Sequence, residues 1–405
     1  MIPATGMPQV VALHDLNEAR ALMRHMGVSE GGVDIMDKKG LFRVLRLTGL
    51  DTRAASILKQ EMLSRGGEVA TSRRVYELRG GEAECLVMGT LSQFDRLLPK
   101  LRSQPFGLRL LAESMAGALQ QYDAPRRVSH PLLDLSEPPV VMGILNVTPD
   151  SFSDGGDFLE VASAVERVHQ MVEEGAQLVD VGADSSRPWS EGVGAEEETR
   201  RLLPVLEALG PGFPVPLCVD TRRAPVAAAA LEAGASIVND ISALRADPQM
   251  VAVVRDAGCP LILMHMLGTP ATMQDNPVYE DVVEDVYSFF LERLSFAVDE
   301  GITEANLLLD PGIGFGKLLE HNLQLLRHLG SFRSLGRPLV LGASRKAFLG
   351  RLLDQPEPKG RLAGTVATTV MAGMQGVDIV RVHDVRENVE AARVLRAVVS
   401  GSPQE

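Results

Sequence analysis

Eight times between residues 140 and 384 an apolar run of strand length ends on polar side chains. The first starts at Val140 and closes on Asn146 and Thr148, before a Pro/Asp/Ser/Gly segment that reaches Gly156. The others are 178–184 (Asp180, Asp184), 215–221 (Asp220), 236–242 (Asn239, Asp240) and 261–266 (His265). Three more follow at 306–312 (Asp310), 338–344 (Ser344) and 377–384 (Arg381, His383, Asp384). Near-continuous apolar runs belong to strands covered on both faces, as in a parallel sheet. Helical periodicity fills the intervals at 161–174, 196–208, 224–233, 248–257, 281–299, 322–329 and 362–374. Gly175, Gly234, Gly258, Gly301 and Gly376 stand where a helix closes into the next turn. The expected fold class is α/β: a (β/α)8 TIM barrel over residues ~138–400, with its chemistry on the carboxyl-terminal rim.

The chain ahead of the barrel mixes patterns. Residues 13–26 and 52–65 predict helices, the second with Asp51 or Thr52 as N-cap. Residues 41–47 and 85–89 predict strands, and 91–119 is a long amphipathic stretch broken near Pro105 and Gly107. Residues 1–120 therefore form a small α/β or α+β accessory domain, and Pro125, Pro131, Pro138 and Pro139 mark 121–139 as a linker to the barrel at 140–400. No nucleophile–base pair, phosphate loop or metal spacing stands in this front part, so packing or partner binding is its expected role.

Composition narrows the function classes. A net charge of −13 supplies no global basic field for nucleic acid, so any anion site must be local. The three cysteines, Cys85, Cys218 and Cys259, are odd in number and far apart, as free thiols of a reducing compartment are. No apolar run approaches the roughly 18 residues of a membrane span, and the start lacks the order of a signal peptide. A cytoplasmic protein without membrane or nucleic-acid partners is expected.

Arg381 and His383 alternate by two and so share a face at the end of the eighth strand. Closure of a barrel sets the first strand, and Asn146, beside them. Together they suit an anion bound with a hard cation, the Arg and His meeting phosphate oxygens and the amide oxygen meeting the metal. The plain alternative is an internal ion pair from Arg381 to Asp384 or Asp378. A second set, Asp180, Asp220, Asn239, Asp310 and Lys346, is costly to bury unless it meets a donor-rich ligand such as a flat heterocycle with an amine beside a ring N–H. A water-filled polar layer is the alternative there. In the Gly-rich 310–317 segment, Phe315 and Lys317 are expected to project into the site, whereas His265 reads as a packed strand-end residue. Trp189 either caps a ligand or covers the rim.

These residues fall in motifs. Ile-Leu-Asn-Val-Thr-Pro-Asp-Ser-Phe-Ser-Asp-Gly-Gly at 144–156 is followed by Asp-Ser-Ser-Arg-Pro at 184–188, Val-Asp-Thr at 219–221 and Asn-Asp-Ile-Ser at 239–242. Met-His-Met at 264–266, Asp-Pro-Gly-Ile-Gly-Phe-Gly-Lys at 310–317, Ser-Arg-Lys at 344–346 and Arg-Val-His-Asp-Val at 381–385 complete the order. Residues 140–398 thereby resemble dihydropteroate synthase, with an extra domain in front. The resemblance implies a transferase of folate biosynthesis that joins 6-hydroxymethyl-7,8-dihydropterin diphosphate to para-aminobenzoate, giving 7,8-dihydropteroate and pyrophosphate. It implies Mg²⁺ on Asn146 and the diphosphate, with Arg381 and His383 on the leaving group. It implies the pterin on Asp220, Asn239, Asp310 and Lys346, and para-aminobenzoate beside Ser186, Arg187, Pro188 and Phe315. Asp220, Lys346, Arg381 and His383 would stand at the reacting atoms. The expected partners are these small molecules and a second copy of the chain in a homodimer.

The sequence departs from the family pattern at Asp184, Ser186, Trp189, Leu267 and Ala347, where Glu, Thr, Gly, Gln and Ser are usual. These departures bear on the arylamine pocket rather than the pterin pocket. Two other readings stay open: a pterin-dependent methyltransferase, which needs no diphosphate site, and a pterin-binding protein without catalysis.

Overall fold

The computed structural model describes residues 9–77, 79–147, 156–184 and 193–400. Ser186, Arg187, Pro188 and Trp189 lie outside the described residues. The chain forms two compact units, Met1–Asp123 and Ala124–Glu405.

In the first unit, strands β1 (Phe42–Asp51), β2 (Glu68–Thr71) and β3 (Glu82–Thr90) make an antiparallel sheet in the order β1-β3-β2. Alternation sends Val69, Ala83, Cys85 and Val87 to one face, where they pack with Leu58, Met62, Phe94, Leu97 and Leu108 from the helices. Asp51 caps the helix Thr52–Leu63, and Thr90 with Gln93 forms a capping box for Leu91–Leu101. The expected break follows: the chain resumes as helix only at Leu108, after Phe106 and Gly107 at φ 59° and 77°. Elements with no clear signal include a strand and a helix. β2 is only four residues long, and the helix Glu30–Met36 contains Gly31 and Gly32 but is capped by Ser29.

The second unit is the barrel. Its strands are β4 (Val140–Asn146), β5 (Leu178–Gly182), β6 (Leu217–Asp220), β7 (Ile237–Asp240), β8 (Leu261–Met264), β9 (Leu307–Asp310), β10 (Val340–Leu341) and β11 (Ile379–Val382). All neighbours are parallel, in the order β10-β11-β4-β5-β6-β7-β8-β9, and a bridge from Leu309 to Leu339 closes the ring. β4 therefore borders β11, with Met142 opposite Arg381.

The two-residue period of these strands sets the site. Val140, Met142, Leu178, Cys218, Ile237, Ile262, Leu308, Val340 and Ile379 form an apolar cluster in the barrel. Two residues further along the eight strands stand Ile144, Asp180, Asp220, Asn239, Met264, Asp310, Gly342 and Arg381, five of them polar. One polar layer thus rests on one apolar layer.

Leu133 and Leu135 are buried in that apolar cluster. They belong to the Pro-containing segment 121–139, and the division into units falls after Asp123. A barrel starting at Ala124 is therefore expected to fold, whereas one starting at Ser136 forfeits two buried leucines, roughly 3–6 kcal/mol. Urea unfolding of the two truncations checks this; equal stability would deny these leucines a part in the core. Among the described residues no helix is long and apolar enough to cross a membrane.

Candidate active site

Arg381 is the centre of the polar layer. Its Nε donates to Asp180, and its Nη2 donates to Asp220 Oδ2 at 2.7 Å. Asp180 is fully buried and also accepts from Asn239 Nδ2 at 3.3 Å. The ion pairs considered from sequence fall elsewhere: Asp384 pairs with Arg345, and Asp378 accepts from the Leu339 N–H at 2.8 Å. Asp378 sits three residues earlier, below the apolar layer, and Asp384 leaves the strand toward Arg345.

The layer is acid-rich and largely buried. Burial pushes the Asp220 carboxyl up to about 7, against the pull of Arg381. Burial likewise raises Asp310, opposed by Lys346, and depresses Lys346 to about 7, opposed by Asp310. Asp180 Oδ1 and Asn239 Oδ1 are buried without a hydrogen-bond partner among the described residues. Orphaned acceptors at this depth are expensive unless a ligand brings donors.

Asp310 uses Oδ1 to accept the Gly312 N–H at 2.8 Å. Its Oδ2 faces Gly342, where an added Cβ would stand 3.6 Å away. Lys346 Nζ donates to the Ile313 carbonyl and lies 4.2 Å from the centre of the Phe315 ring. Phe315 is buried with Ile241, Met264, Met266 and Met273. One expectation is corrected: Lys317 does not project into the site. It is 3 % exposed, and its Nζ turns inward to His265 Nδ1 at 2.8 Å.

His383 stands above Arg381 on β11's end, with Nδ1 3.0 Å from Ser344 Oγ. That hydroxyl also accepts the His383 N–H at 3.2 Å. Ser344 is thus free to donate to Nδ1, which leaves Nε2–H as the ring's remaining donor. Burial, then Arg345 and Arg381, hold the imidazole down to about 3, so it is neutral. Asn146, exposed at the tip of β4, is on the strand next to His383. Among the described residues no three His, Cys, Asp or Glu side chains form a metal cluster. A single amide oxygen at the rim does suit an ion that keeps its water and takes its other ligands from a phosphate.

One network was not legible from sequence. Arg223 donates to Asp184 Oδ2 at 2.9 Å, to the fully buried Glu198 and to the Val193 carbonyl. The Val193 N–H donates to Asp184 Oδ1 at 3.0 Å. Both flanks of the segment that carries Ser186, Arg187 and Pro188 are therefore anchored to one guanidinium. Nothing in the Thr-Arg-Arg sequence signals this, because its partners come from two other segments.

Residues 142–383 match the family model described as pterin binding enzyme. A dihydropteroate synthase of Synechocystis sp. is 44% identical over 277 residues, covering 68% of this chain and 96% of its own. A probable bifunctional folylpolyglutamate synthase/dihydropteroate synthase of Haloferax volcanii is 41% identical over 362 residues, which is 86% of this chain and 42% of that protein. The chain thus spans less than half the length of that relative. The crystal structure of Xanthomonas albilineans dihydropteroate synthase with 4-aminobenzoic acid superposes with a TM-score of 0.63 at 45% identity, covering 66% of this chain and 95% of its own.

Proposed function

The chain belongs to the pterin-binding enzymes, and within them to the dihydropteroate synthases, and we propose that it joins a dihydropterin diphosphate to para-aminobenzoate with loss of pyrophosphate. The observation that carries this reading is the pair of orphaned buried acceptors, Asp180 Oδ1 and Asn239 Oδ1, in a layer with Asp220, Asp310 and Lys346. Such a layer suits the amine and ring N–H edge of a pterin, which a carboxylate can accept side by side.

An aromatic amine is a weak nucleophile, so departure of the diphosphate has to lead. Arg381 Nη1, the guanidinium nitrogen not committed to Asp180 or Asp220, and neutral His383 through Nε2–H meet the leaving oxygens. Asn146 would hold Mg²⁺ together with the diphosphate; when bound, the ion neutralises charge on the leaving group. As the C–O bond breaks, the pterin methylene becomes cationic, and the Asp220 carboxylate stabilises it. The amine nitrogen then forms the C–N bond and gives up its proton to the departing pyrophosphate. Phe315, with Ser186, Arg187 and Pro188, positions the arylamine. No covalent intermediate is needed.

Lys346 gives the reaction a pH dependence. Its ammonium is held down to about 7, chiefly by burial, so it carries its proton below that pH and loses it above. If the protonated form donates to the pterin, kcat/KM for the pterin diphosphate falls as pH rises through about 7, approaching tenfold per unit. In Lys346→Met that alkaline limb disappears. A variant whose profile bends at the same pH would remove Lys346 from this role.

A homodimer in the cytoplasm is the assembly we propose. Supporting it, Met374, Val394 and Val398 are 72%, 65% and 74% exposed on the last two helices of the barrel unit. The front unit is proposed to serve partner binding or packing. In support, the match to the Haloferax volcanii protein covers a larger share of the chain than the barrel unit does. The test of the reaction is direct. Purified protein with Mg²⁺, the pterin diphosphate and para-aminobenzoate should release pyrophosphate and yield dihydropteroate in equal amounts. Pyrophosphate without a C–N bond, or neither product, rejects it.

A further inference from the structure

Three glycines in the 310–317 segment, Gly312, Gly314 and Gly316, sit in the left-handed region at φ 66°, 83° and 64°. A loop of that composition is pliant by itself. Here five successive carbonyl oxygens each receive a side-chain donor. Lys346 Nζ meets Ile313, Gln274 Nε2 meets Gly314 at 2.9 Å, and Lys317 Nζ meets Phe315 at 3.0 Å. Tyr279 Oη meets Gly316 at 2.8 Å, and Asn322 Nδ2 meets Lys317 at 3.3 Å. The loop also presses on the strand beside it. A Cβ on Gly312 would lie 1.9 Å from the His265 carbonyl oxygen, and one on Gly316 would lie 2.8 Å from that of Leu267.

Lys317 differs from the other four donors because its amine is almost wholly buried; burial, then the nearby Lys346, pulls its pKa well below the ordinary lysine value. Its Nζ lies within hydrogen-bonding distance of three groups: His265 Nδ1 at 2.8 Å, the Phe315 carbonyl at 3.0 Å and the His265 carbonyl at 3.4 Å. His265 is fixed in turn, edge-on to Phe289 at 4.7 Å and 88°, with its N–H on the Asp310 carbonyl at 2.9 Å. The Phe315 ring lies under Lys346 Nζ, 4.2 Å from the ring centre. One amine therefore ties together the end of β8, the backbone of Asp310 and the residue that carries the aromatic wall.

We propose that Lys317, anchored on His265, is a positioning residue for the arylamine: it holds Phe315 where an aromatic amine can pack against it. This rests on the reaction proposed above. His265 is thereby more than packing; it acts as a neutral acceptor with its ring proton on Nε2.

The test compares both Michaelis constants in the full chain. Lys317→Met keeps the length of the side chain and removes the donors. It should raise KM for para-aminobenzoate by about tenfold or more, while KM for the pterin diphosphate stays within about twofold. Tyr279→Phe removes a single hydroxyl from the same loop and should move the same constant in the same direction by a smaller factor. In the wild type, nitrogen-15 spectra should show His265 Nδ1 unprotonated. Equal rises in both constants, no rise in either, or a proton on Nδ1 overturns the proposal. If Lys317→Met fails to fold, Tyr279→Phe decides, and an unchanged arylamine KM there overturns it. A wild type that releases no pyrophosphate would instead sink the reaction itself.

Discussion

Asp310→Asn is expected to weaken pterin binding by about a hundredfold or more while leaving the barrel folded. Asp310 already spends Oδ1 on the Gly312 N–H. An asparagine keeps its oxygen there and turns its NH2 toward the ligand, donor against donor. Losing one charge-assisted bond of ~1.5–3 kcal/mol and leaving a buried N–H unpaired at ~1–3 kcal/mol together reach that factor. Calorimetric titration with the pterin measures it, with thermal unfolding as the control. Unchanged affinity would put the heterocycle somewhere else.

Arg381→Met is expected to cost about 3–5 kcal/mol of folding stability, in addition to impairing use of the diphosphate substrate. The guanidinium neutralises Asp180, which is wholly buried, and Asp220. Without it Asp220 loses the charge that opposes its burial, and its proton affinity rises further above that of the unfolded chain. The folded variant then binds more protons than the unfolded chain in the window between those pKa values. Its stability therefore falls as pH rises through that window, and the deficit is greater at pH 8 than at pH 5. Urea unfolding at both values reads this directly. A variant as stable as the parent at pH 8 would show that Arg381 is not what keeps the acids in place.

The double role of Arg381 shows what was legible in the sequence and what was not. The strands stood out because each is an apolar run ending in polar residues, and the two-residue period assigned Arg381 and His383 to one face. The neighbourhood of β4 and β11 followed from closure of the ring. The partners of Arg381 did not, because Asp180 and Asp220 lie 201 and 161 residues away and only the level of each residue in the barrel brings them together. Lys317 was misjudged for a local reason. With Gly312, Gly314 and Gly316 in the left-handed region, the alternation that predicts side-chain direction along a strand does not apply. The segment at 121–139 looked like a linker because prolines dominate it, yet Leu133 and Leu135 pack with the barrel's apolar layer.

The proposed reaction puts the heterocycle on the acid layer and the diphosphate between the ends of β4 and β11. A crystal structure with the pterin diphosphate and Mg²⁺ bound tests it in one measurement. The expected density places the amine edge of the pterin on Asp310 and the phosphates within hydrogen-bonding reach of Asn146 and His383. Phosphates on another part of the rim, or a pterin that leaves the Asp180 and Asn239 acceptors unmet, would contradict it.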